Sequence, residues 1–484
     1  MYWESLYQRL PIFLQNAACG LVGRRIQRTR YGPGFQRYLK EAEERAGWSQ
    51  DRMLEYRDER LRAFVDHCAK TVPYYRRLFK KEGIDPKRIR TCDDLKQVPV
   101  LTKAEVQRNY PEMLSEAVPP RRRVRAHTSG TTGAGLRFAS TLDAIQQQWA
   151  IWWRYRRWHG IEMDNWCGYL GGALIVPAAQ TSPPFWRHNR PGRQILFSGY
   201  HVSPENLPHY VEQLRRSQPP WIHGYPSLVT LLASHLIETQ TDIGYQVGWI
   251  TGGAENLLPQ QADTIERAFR VRPRQHYGMA EAVANISQCD HGMLHVDEDF
   301  SAVEFLSCSN GLGYRIVGTN FSNLAVPLLR YDTGDIAVLA DSRCPCGRPG
   351  RIVQDIDGRQ EDYVVLKSGT LVGRLDHIFK DLINIREAQI QQSRIGEITM
   401  HVVRGNAYSD TDERQLLRET RQRLGEDMEI RIQYVESLRR TAASKLRLVV
   451  SNLERGQLVL PQDGQSVDET EPDTGIKVPR ASSG

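Results

Sequence analysis

Apolar residues recur at three- and four-residue intervals through most of residues 1–95, and this spacing predicts helices. The clearest stretch is DRMLEYRDERLRAFVDHCAKTVPYYRRLFKKEG, in which Gly83 supplies a stop signal. Another helix is predicted near the N-terminus, and its apolar face contains Leu10, Phe13, Leu14, Ala17, Leu21 and Val22. We expect this face to pack on the body of the protein. The alternative is a basic amphipathic helix that rests on a membrane surface.

Between residues 125 and 340 the pattern changes, because short apolar runs alternate with helical segments. CGYLGGALIVP, WIHGYP, VGWITGGAE and RQHYGMAE predict strands that end in glycine-containing loops, and PENLPHYVEQLRRSQ and PQQADTIERAFRV predict the helices between them. This alternation predicts α/β layers with a largely parallel sheet. Ligands of such sheets bind beyond the carboxyl ends of the strands, where these loops lie.

The pattern of apolar and polar residues changes again after residue 365. EITMHVVRG and MEIRIQYVE predict strands, and TDERQLLRETRQRLG predicts a helix between them, so we expect a small, mobile α+β domain. The polar, Pro-, Gly- and Ser-rich C-terminal stretch predicts disorder. The predicted organisation is a helical region at 1–95, a large domain at 96–360, a small C-terminal domain at 361–454 and a disordered tail at 455–484.

Composition indicates a globular protein, with 40% hydrophobic and 25% charged residues. The net charge of +7 is modest for 484 residues; it suits an anionic substrate such as a nucleotide and does not indicate nucleic-acid binding. No apolar run is long enough to span a membrane, and the N-terminal charges follow the apolar part, which is the wrong order for a signal peptide. We therefore expect a cytoplasmic protein, with contact at the inner face of the membrane through residues 8–30 as the alternative.

The segment HTSGTTGAGLRF, which follows the basic run RRRVRA, is rich in glycine and hydroxyl groups. Glycine lets backbone N–H groups approach a phosphate, and hydroxyls add further donors. The candidate phosphate ligands are Thr128, Ser129, Gly130, Thr131, Thr132 and Gly133. The loop differs from the Walker A motif because no Gly-Lys-Ser/Thr follows. The alternative is a flexible surface turn.

Five further short motifs follow this loop. They are TGGAE at 251–255, YGMAE at 277–281, YDTGD at 331–335, GRQED at 358–362 and RRTAASKLR at 439–447. In this order the six motifs resemble those of the acyl-adenylate-forming superfamily. The resemblance is closest to the phenylacetate–CoA ligase branch and its CapK-like relatives in surface-polysaccharide loci, through HVDEDF, CPCGRPG and SKLRLVVSNL. It extends from about residue 60 to residue 453.

This resemblance implies an enzyme that joins a carboxylate to ATP, releases pyrophosphate and passes the acyl group from acyl-AMP to a thiol or an amine. The glycine loop would hold the β- and γ-phosphates, with nearby arginines raising the positive potential. Glu281 would be a catalytic ligand of Mg²⁺, and Lys445 would be the catalytic cation that bridges the carboxylate and the α-phosphate. The alternative for each is an exposed side chain without a catalytic role.

The same resemblance assigns the nucleotide contacts. Tyr277 and Gly278 would lie near the adenine, with Ala254 and Glu255 at the end of the adenine-pocket strand. Asp335 would accept hydrogen bonds from the ribose hydroxyls, unless it or Asp332 is only a turn residue. Arg359 would contact ribose or phosphate, and Glu361 and Asp362 would form the interdomain hinge. The chain departs from the family pattern at Ala280, where Thr or Ser is usual, and at Ser444, where Gly is usual.

Some relatives hold a structural zinc in the loops that follow YGMAE and YDTGD. Here that resemblance implies the ligand set Cys289, His295, Cys344 and Cys346, with His291 and Cys308 as rivals. Sulfur and nitrogen ligands suit tetrahedral zinc. The alternative is a group of reduced cytosolic residues without metal.

The acid should bind among residues 165–255, where His223, Tyr225, Tyr200 and the glycines at 171–172 are the candidates. Three functions remain open. The first is an AMP-forming ligase that transfers an aryl acid to CoA. The second is an adenylate-forming amide ligase that acts on an amino sugar or amino acid in polysaccharide assembly. The third is a catalytically weakened ATP-binding scaffold, indicated only by Ala280 and Ser444.

Overall fold

The computed structural model describes most of the chain. The described residues are 2–127, 136–203, 205–255, 257, 259–308, 313–340, 343–357, 364–372, 375–379, 382, 384–405, 408–436, 438 and 448–453. The tail at 455–484, for which the sequence predicts disorder, lies outside them.

Helices form most of the N-terminal part and alternate with strands further along the chain. They are α1 (Tyr2–Arg9), α2 (Ile12–Arg30), α3 (Phe35–Arg45), α4 (Gln50–Thr71), α5 (Pro73–Glu82), α6 (Lys103–Met113), α7 (Leu142–Trp158), α8 (Leu207–Ser217), α9 (Pro226–Glu238), α10 (Pro259–Phe269) and α11 (Asp410–Leu424). The long periodic stretch forms two helices, α4 and α5, because Pro73 starts a new helix. Gly83 ends α5 in the left-handed conformation, with φ of 63°, as predicted.

Within the described residues, the strands form one large sheet and three smaller ones. They are β1 (Val124–His127), β2 (Arg137–Ser140), β3 (Cys167–Gly171), β4 (Trp186–Asn189), β5 (Gln194–Ser198), β6 (Trp221–Gly224), β7 (Trp249–Gly252), β8 (Arg274–Gly278), β9 (Asn285–Gln288), β10 (Leu294–Val296), β11 (Ser301–Ser307), β12 (Tyr314–Asn320), β13 (Tyr331–Leu339), β14 (Ile352–Asp357), β15 (Val364–Val365), β16 (Leu371–Val372), β17 (Ile385–Arg394), β18 (Glu397–Arg404), β19 (Glu429–Tyr434) and β20 (Val449–Ser451).

The large sheet has twelve strands in the order β11-β12-β13-β14-β10-β9-β8-β7-β6-β3-β5-β4. Strands β5, β3, β6, β7 and β8 pair in parallel, which matches the predicted strand–helix alternation. The edge strand β4 and the half from β9 to β11 are antiparallel. Because the parallel strands end side by side, their terminal glycine loops meet at one edge of the sheet.

The C-terminal part forms a smaller α+β unit. Strands β19, β18, β17 and β20 make a four-stranded mixed sheet against which α11 packs through Leu416 and Leu424. Tyr200 of the large unit is buried in the same apolar cluster. The predicted fold class, a large α/β domain followed by a small α+β domain, is confirmed. The residue boundaries of the four segments stay a prediction.

Helix α2 packs against β4, and the face that it buries differs from the predicted one. Its buried residues are Gln15, Cys19 and Gly23. Phe13 is 69% exposed and Leu21 is 67% exposed, so the apolar face points outward. The expectation that this face packs on the body is therefore wrong. No helix in the described ranges has the length and apolarity needed to cross a membrane.

Polar contacts explain why α2 buries its less apolar face. The fully buried guanidinium of Arg187 donates to Gln15 Oε1 at 2.6 Å, and the backbone N–H of His188 donates to Asn16 Oδ1 at 2.8 Å. A Cβ on Gly23 would lie only 1.9 Å from Asn189 Oδ1, so close approach of α2 to β4 requires glycine there.

Candidate active site

A cavity of about 740 Å³ lies at the carboxyl ends of the parallel strands. Its lining includes Gly171, Gly224, Gly253, Ala254 and Gly278, which end or follow β3, β6, β7 and β8. This is the edge at which the alternating pattern predicts a ligand. A Cβ on Gly278 would lie 2.6 Å from Asn285 Oδ1, so glycine allows the end of β8 to approach β9 and the indole of Trp152.

The sequence predicts part of the cavity lining and misses another part. His223, Tyr225 and Gly171 line the cavity, whereas Tyr200 packs in the apolar cluster of the C-terminal unit. The missed lining comes from α2 and α7, which contribute Arg30, Trp149, Trp152, Trp153 and Arg156 among others. The run WAIWWRYRRW in α7 is the available signal, since it concentrates indoles and guanidinium groups on one helix.

The cavity lining is aromatic and positively charged. Burial and the charge of Arg156 lower the pKa of His276 to about 3. The same two causes lower the pKa of His223 well below its ordinary value. Both imidazoles are therefore neutral at pH 7. None of the described lining residues is acidic.

The TGGAE segment turns tightly after β7. Ala254 has φ of 68°, which is uncommon for a residue with a Cβ. Glu255 Oε2 accepts a hydrogen bond at 3.1 Å from the backbone N–H of Ser227, in the first turn of α9. Glu255 thus caps a helix N-terminus, where a carboxylate is favourable. The cap holds the turn, and with it Ala254, against the cavity.

Tyr277 and Asp335 come together from β8 and β13. The Tyr277 hydroxyl donates to Asp335 Oδ2 at 2.8 Å. Burial raises the pKa of Tyr277 well above its ordinary value, and the nearby carboxylates of Asp335 and Glu281 act in the same direction. Tyr277 is therefore a neutral phenol that donates a hydrogen bond to one oxygen of Asp335.

Asp332 and Asp335 have different roles in the YDTGD turn. Asp332 accepts from the backbone N–H of Gly334 at 3.0 Å and pairs with Arg315 at 2.5 Å. Asp332 is thus the turn residue of the pair, which leaves Asp335 as the carboxylate beside Tyr277. Glu281 lies half-buried in the turn after β8, and its backbone carbonyl accepts from Asn320 Nδ2 at 3.1 Å.

The acidic residues of the HVDEDF motif form a buried network of ion pairs with arginines from α3 and α7. Arg154 donates to Asp297 at 2.7 Å and to Asp299 at 2.8 Å. Arg45 donates to Asp299 at 2.7 Å. The motif therefore ties α3 and α7 to the sheet. Asp297 also accepts from the amide of Asn285, which in turn accepts from the indole N–H of Trp152 at the cavity.

The four predicted zinc ligands lie together. The candidate ligand atoms of Cys289, His295, Cys344 and Cys346 are all within 4.8 Å of one another. His295 Nδ1 lies 3.3 Å from the carbonyl oxygen of Pro349, which leaves Nε2 facing the Cys346 sulfur at 3.4 Å. Ligand separations of this size and the soft donor set fit a tetrahedral zinc ion. The rivals His291 and Cys308 are not in this group.

Several predicted site residues lie outside the described residues. These are Thr128, Ser129, Gly130, Thr131, Thr132, Gly133, Arg359, Glu361, Asp362, Ser444 and Lys445. The flanking strands β1 and β2 pair with each other on either side of the glycine loop. Of the preceding arginines, Arg123 donates to the carbonyl oxygens of Val118 and Ser115, whereas Arg121 and Arg122 are exposed.

Comparison with known proteins finds a matching family model and several related proteins. Residues 364–452 match the family model of the CapK C-terminal domain. Protein CapK of Staphylococcus aureus is 24% identical over 460 residues, which is 93% of this chain and 99% of that protein. Phenylacetate-coenzyme A ligase of Aromatoleum evansii is 36% identical over 351 residues, which is 67% of this chain and 74% of the relative.

The structural comparison agrees at the level of the fold. A 2-hydroxyisobutyryl-CoA ligase in complex with 2-HIB-AMP and CoA aligns with a TM-score of 0.54 at 19% identity. The alignment covers 85% of this chain and 92% of that one.

Proposed function

This chain belongs to the acyl-adenylate-forming superfamily, in its phenylacetate–CoA ligase and CapK-like branch, and on that premise we propose that it activates an aryl acid as acyl-AMP and transfers the acyl group to CoA. The observation that carries the proposal is the aromatic cavity at the carboxyl ends of the parallel strands. Ala254 and Gly278 are among its lining residues. By the resemblance, both belong to the turns that would contact adenine. Relatives in this branch are phenylacetate-CoA ligases.

Each residue has a distinct task in this proposal. Asp335, oriented by Tyr277, accepts hydrogen bonds from the ribose. Glu281 would hold Mg²⁺, which would offset the negative charge of the phosphates. Lys445 and the glycine loop neutralise the charge that builds up as the carboxylate attacks the α-phosphate. Arg359 contacts the ribose or phosphate side of the nucleotide.

Carboxylate-dependent ATP–pyrophosphate exchange tests adenylation. A panel of aryl and short aliphatic acids is assayed with the wild type, with Lys445→Ala and with the control Lys40→Ala, which removes an exposed lysine of α3. We expect exchange in the wild type and the control, and its loss in Lys445→Ala. Absence of exchange with every acid, despite ATP binding, contradicts the proposal and favours the weakened scaffold indicated by Ala280 and Ser444.

The main proposal and the amide-ligase alternative differ in the molecule that accepts the acyl group. The match of residues 364–452 to the CapK C-terminal domain favours that alternative, in which an amino sugar or amino acid receives the acyl group. Product analysis after addition of CoA, or of amines in its place, distinguishes the two. Acyl-CoA formation supports the ligase of the first proposal, whereas amide formation without acyl-CoA supports the alternative.

We also propose that Cys289, His295, Cys344 and Cys346 bind a structural zinc ion that fixes the two loops together. Metal analysis of the purified protein should give about one zinc per chain. Cys346→Ser should lower this content, and Cys308→Ser should not, because Cys308 lies outside the group. A wild-type protein without zinc, or equal zinc content in both variants, would contradict this assignment.

A separate proposal concerns the exposed face of α2, which we assign to an anionic membrane surface. Phe13 and Leu21 are exposed near the exposed Arg24 and Arg28, and the polar face of the helix is already occupied by β4. Apolar and basic groups on one helix face suit such a surface. A larger fraction of the protein should therefore co-sediment with phosphatidylglycerol vesicles than with phosphatidylcholine vesicles.

Substitution tests the same surface. Leu21→Gln should reduce sedimentation, whereas Leu142→Gln should not, because Leu142 is an exposed leucine on another helix. No sedimentation with phosphatidylglycerol, or the same loss in both variants, would rule out α2 as the contact.

A further inference from the structure

Two arginines on α7 have opposite surroundings. Arg154 is buried and pairs with Asp297 and Asp299. Arg156 is also buried, with 5% of its surface exposed. Burial lowers its pKa, and the largest opposing effects come from tyrosine and cysteine side chains rather than from carboxylates. Its Nε lacks a hydrogen-bond partner. A buried cation without a counter-ion is costly, so it calls for a functional explanation.

Aromatic rings surround Arg156. Its Cζ lies 5.5 Å from the ring centroid of Trp149, 5.0 Å from that of Trp153 and 5.3 Å from that of Trp221. Cation–π contacts of this kind offset only part of the desolvation cost. A second guanidinium, that of Arg30, lies 3.9 Å from the Trp149 ring centroid and lines the same cavity.

A series of side-chain contacts connects Arg156 with the turn after β7. A Cβ at Gly253 would lie 3.5 Å from the rings of His223 and His276. Beyond His223 comes Trp221, at 5.7 Å between ring centroids, and Arg156 lies against Trp221. An acid whose reacting carboxylate is at the turn would therefore extend its other end past the histidines toward Arg156.

We propose that Arg156 recognises a second anionic group at the far end of the substrate acid. This inference rests on the proposed function, which assigns the cavity to the acid. The substrate class is then an acid with an aromatic or apolar middle and a distal carboxylate, phosphate or sulfonate. A guanidinium binds such groups through paired, charge-assisted hydrogen bonds, and Arg30 adds positive potential.

Direct binding tests this inference without any need for catalysis. The indoles around Arg156 report binding by fluorescence, so terephthalate is titrated against benzoate, and 4-carboxyphenylacetate against phenylacetate. The wild type should bind the dianionic acid of each pair at least about tenfold more tightly than the monoanionic acid. Arg156→Met should remove this preference. Arg157→Met should retain it, because Arg157 pairs with Glu43 and Glu162 outside the cavity.

Arg156→Lys keeps the charge but loses the paired geometry, so it should show an intermediate preference and provides a second variant if Arg156→Met does not fold. Equal binding within both pairs, no binding of any probe, or a preference that survives in Arg156→Met overturns the inference. Efficient ATP–pyrophosphate exchange with monoanionic acids alone supports the proposed function and overturns the inference. Preferential binding of dianions without exchange supports anion recognition by Arg156 and contradicts the proposed function.

Discussion

Arg154 shows how much a single buried side chain contributes in this protein. Arg154→Met would leave Asp297 and Asp299 buried without their main counter-ion. Removing one partner of a buried ion pair costs about 3–5 kcal/mol, so the midpoint of urea-induced unfolding should fall clearly. Circular dichroism provides the measurement. Arg216→Met, which removes an exposed arginine, is the control.

Arg156→Met should behave differently from Arg154→Met, because it removes a buried charge that has no acidic partner in the described structure. Its midpoint of urea-induced unfolding should stay the same or rise. If Arg156→Met lowers the unfolding midpoint as much as Arg154→Met does, the surrounding indoles stabilise the buried charge of Arg156 as well as carboxylates stabilise that of Arg154.

Asp299 gives a pH-dependent prediction. Burial acts to raise its pKa, but Arg154 and Arg45 outweigh burial and hold the pKa at about 2. A carboxyl with a folded-state pKa below the unfolded value of 3.8 stabilises the fold above pH 4, and this contribution is lost as the pH falls toward 2. Asp299→Asn should therefore be less stable than the wild type at pH 7.

The difference between Asp299→Asn and the wild type should shrink as the pH falls from 4 toward 2. Thermal unfolding of both proteins across this range measures it. A difference that stays constant with pH would mean that the carboxylate charge of Asp299 is not the source of its stabilisation.

At the scale of elements, the docking of α2 depends on glycine at one position. Gly23→Val should weaken docking, because a Cβ there would overlap Asn189. Overpacking of this kind costs about 1–3 kcal/mol. Hydrogen exchange in α2 should accelerate in this variant. Gly20→Val is the matched control, since the nearest atom to a Cβ at Gly20 is 3.8 Å away on Pro191. Equal exchange in the two variants would contradict the contact at Gly23.

Sequence periodicity predicts most elements because their buried faces are apolar. The end of α5 at Gly83 and the strands that end at Gly224 and Gly252 follow directly from such patterns. For helix α2 the pattern predicts the wrong buried face, because the contacts of this helix are polar. Gln15 accepts from Arg187, which lies far away in the sequence, and no local pattern records that pairing.

The candidate site shows the same limit. The motif order predicts that Tyr277 and Asp335 belong to one site, and the structure places them in hydrogen-bond contact. The resemblance also predicts the cysteine and histidine group. No pattern identifies Arg156, because its importance depends on the absence of a carboxylate around it in the described fold, which only the three-dimensional arrangement reveals. A basic, aromatic helix segment alone is equally typical of a solvated surface.

At the scale of the whole molecule, the two units meet around Tyr200. This residue is buried in the apolar cluster of the C-terminal unit, and its hydroxyl donates to the carbonyl oxygen of Gly172 at 3.0 Å. Gly172 directly follows Gly171 of the cavity lining, and Leu174, which also lines the cavity, packs against the same apolar cluster, so the C-terminal unit contacts the segment that forms the proposed acid site. A rotation of that unit would therefore alter the site.

The resemblance places the hinge for such a rotation at Glu361 and Asp362, and this proposal yields a two-part prediction. Asp362→Pro restricts backbone rotation at one hinge residue. If adenylation and acyl transfer use different orientations of the C-terminal unit, the variant should retain ATP–pyrophosphate exchange and lose most of the overall transfer to CoA or amine. Asp362→Ala, which leaves the backbone free, should retain both. Equal loss of the two activities in Asp362→Pro would argue against a hinge there, because a general folding defect or a direct catalytic role would affect both steps alike.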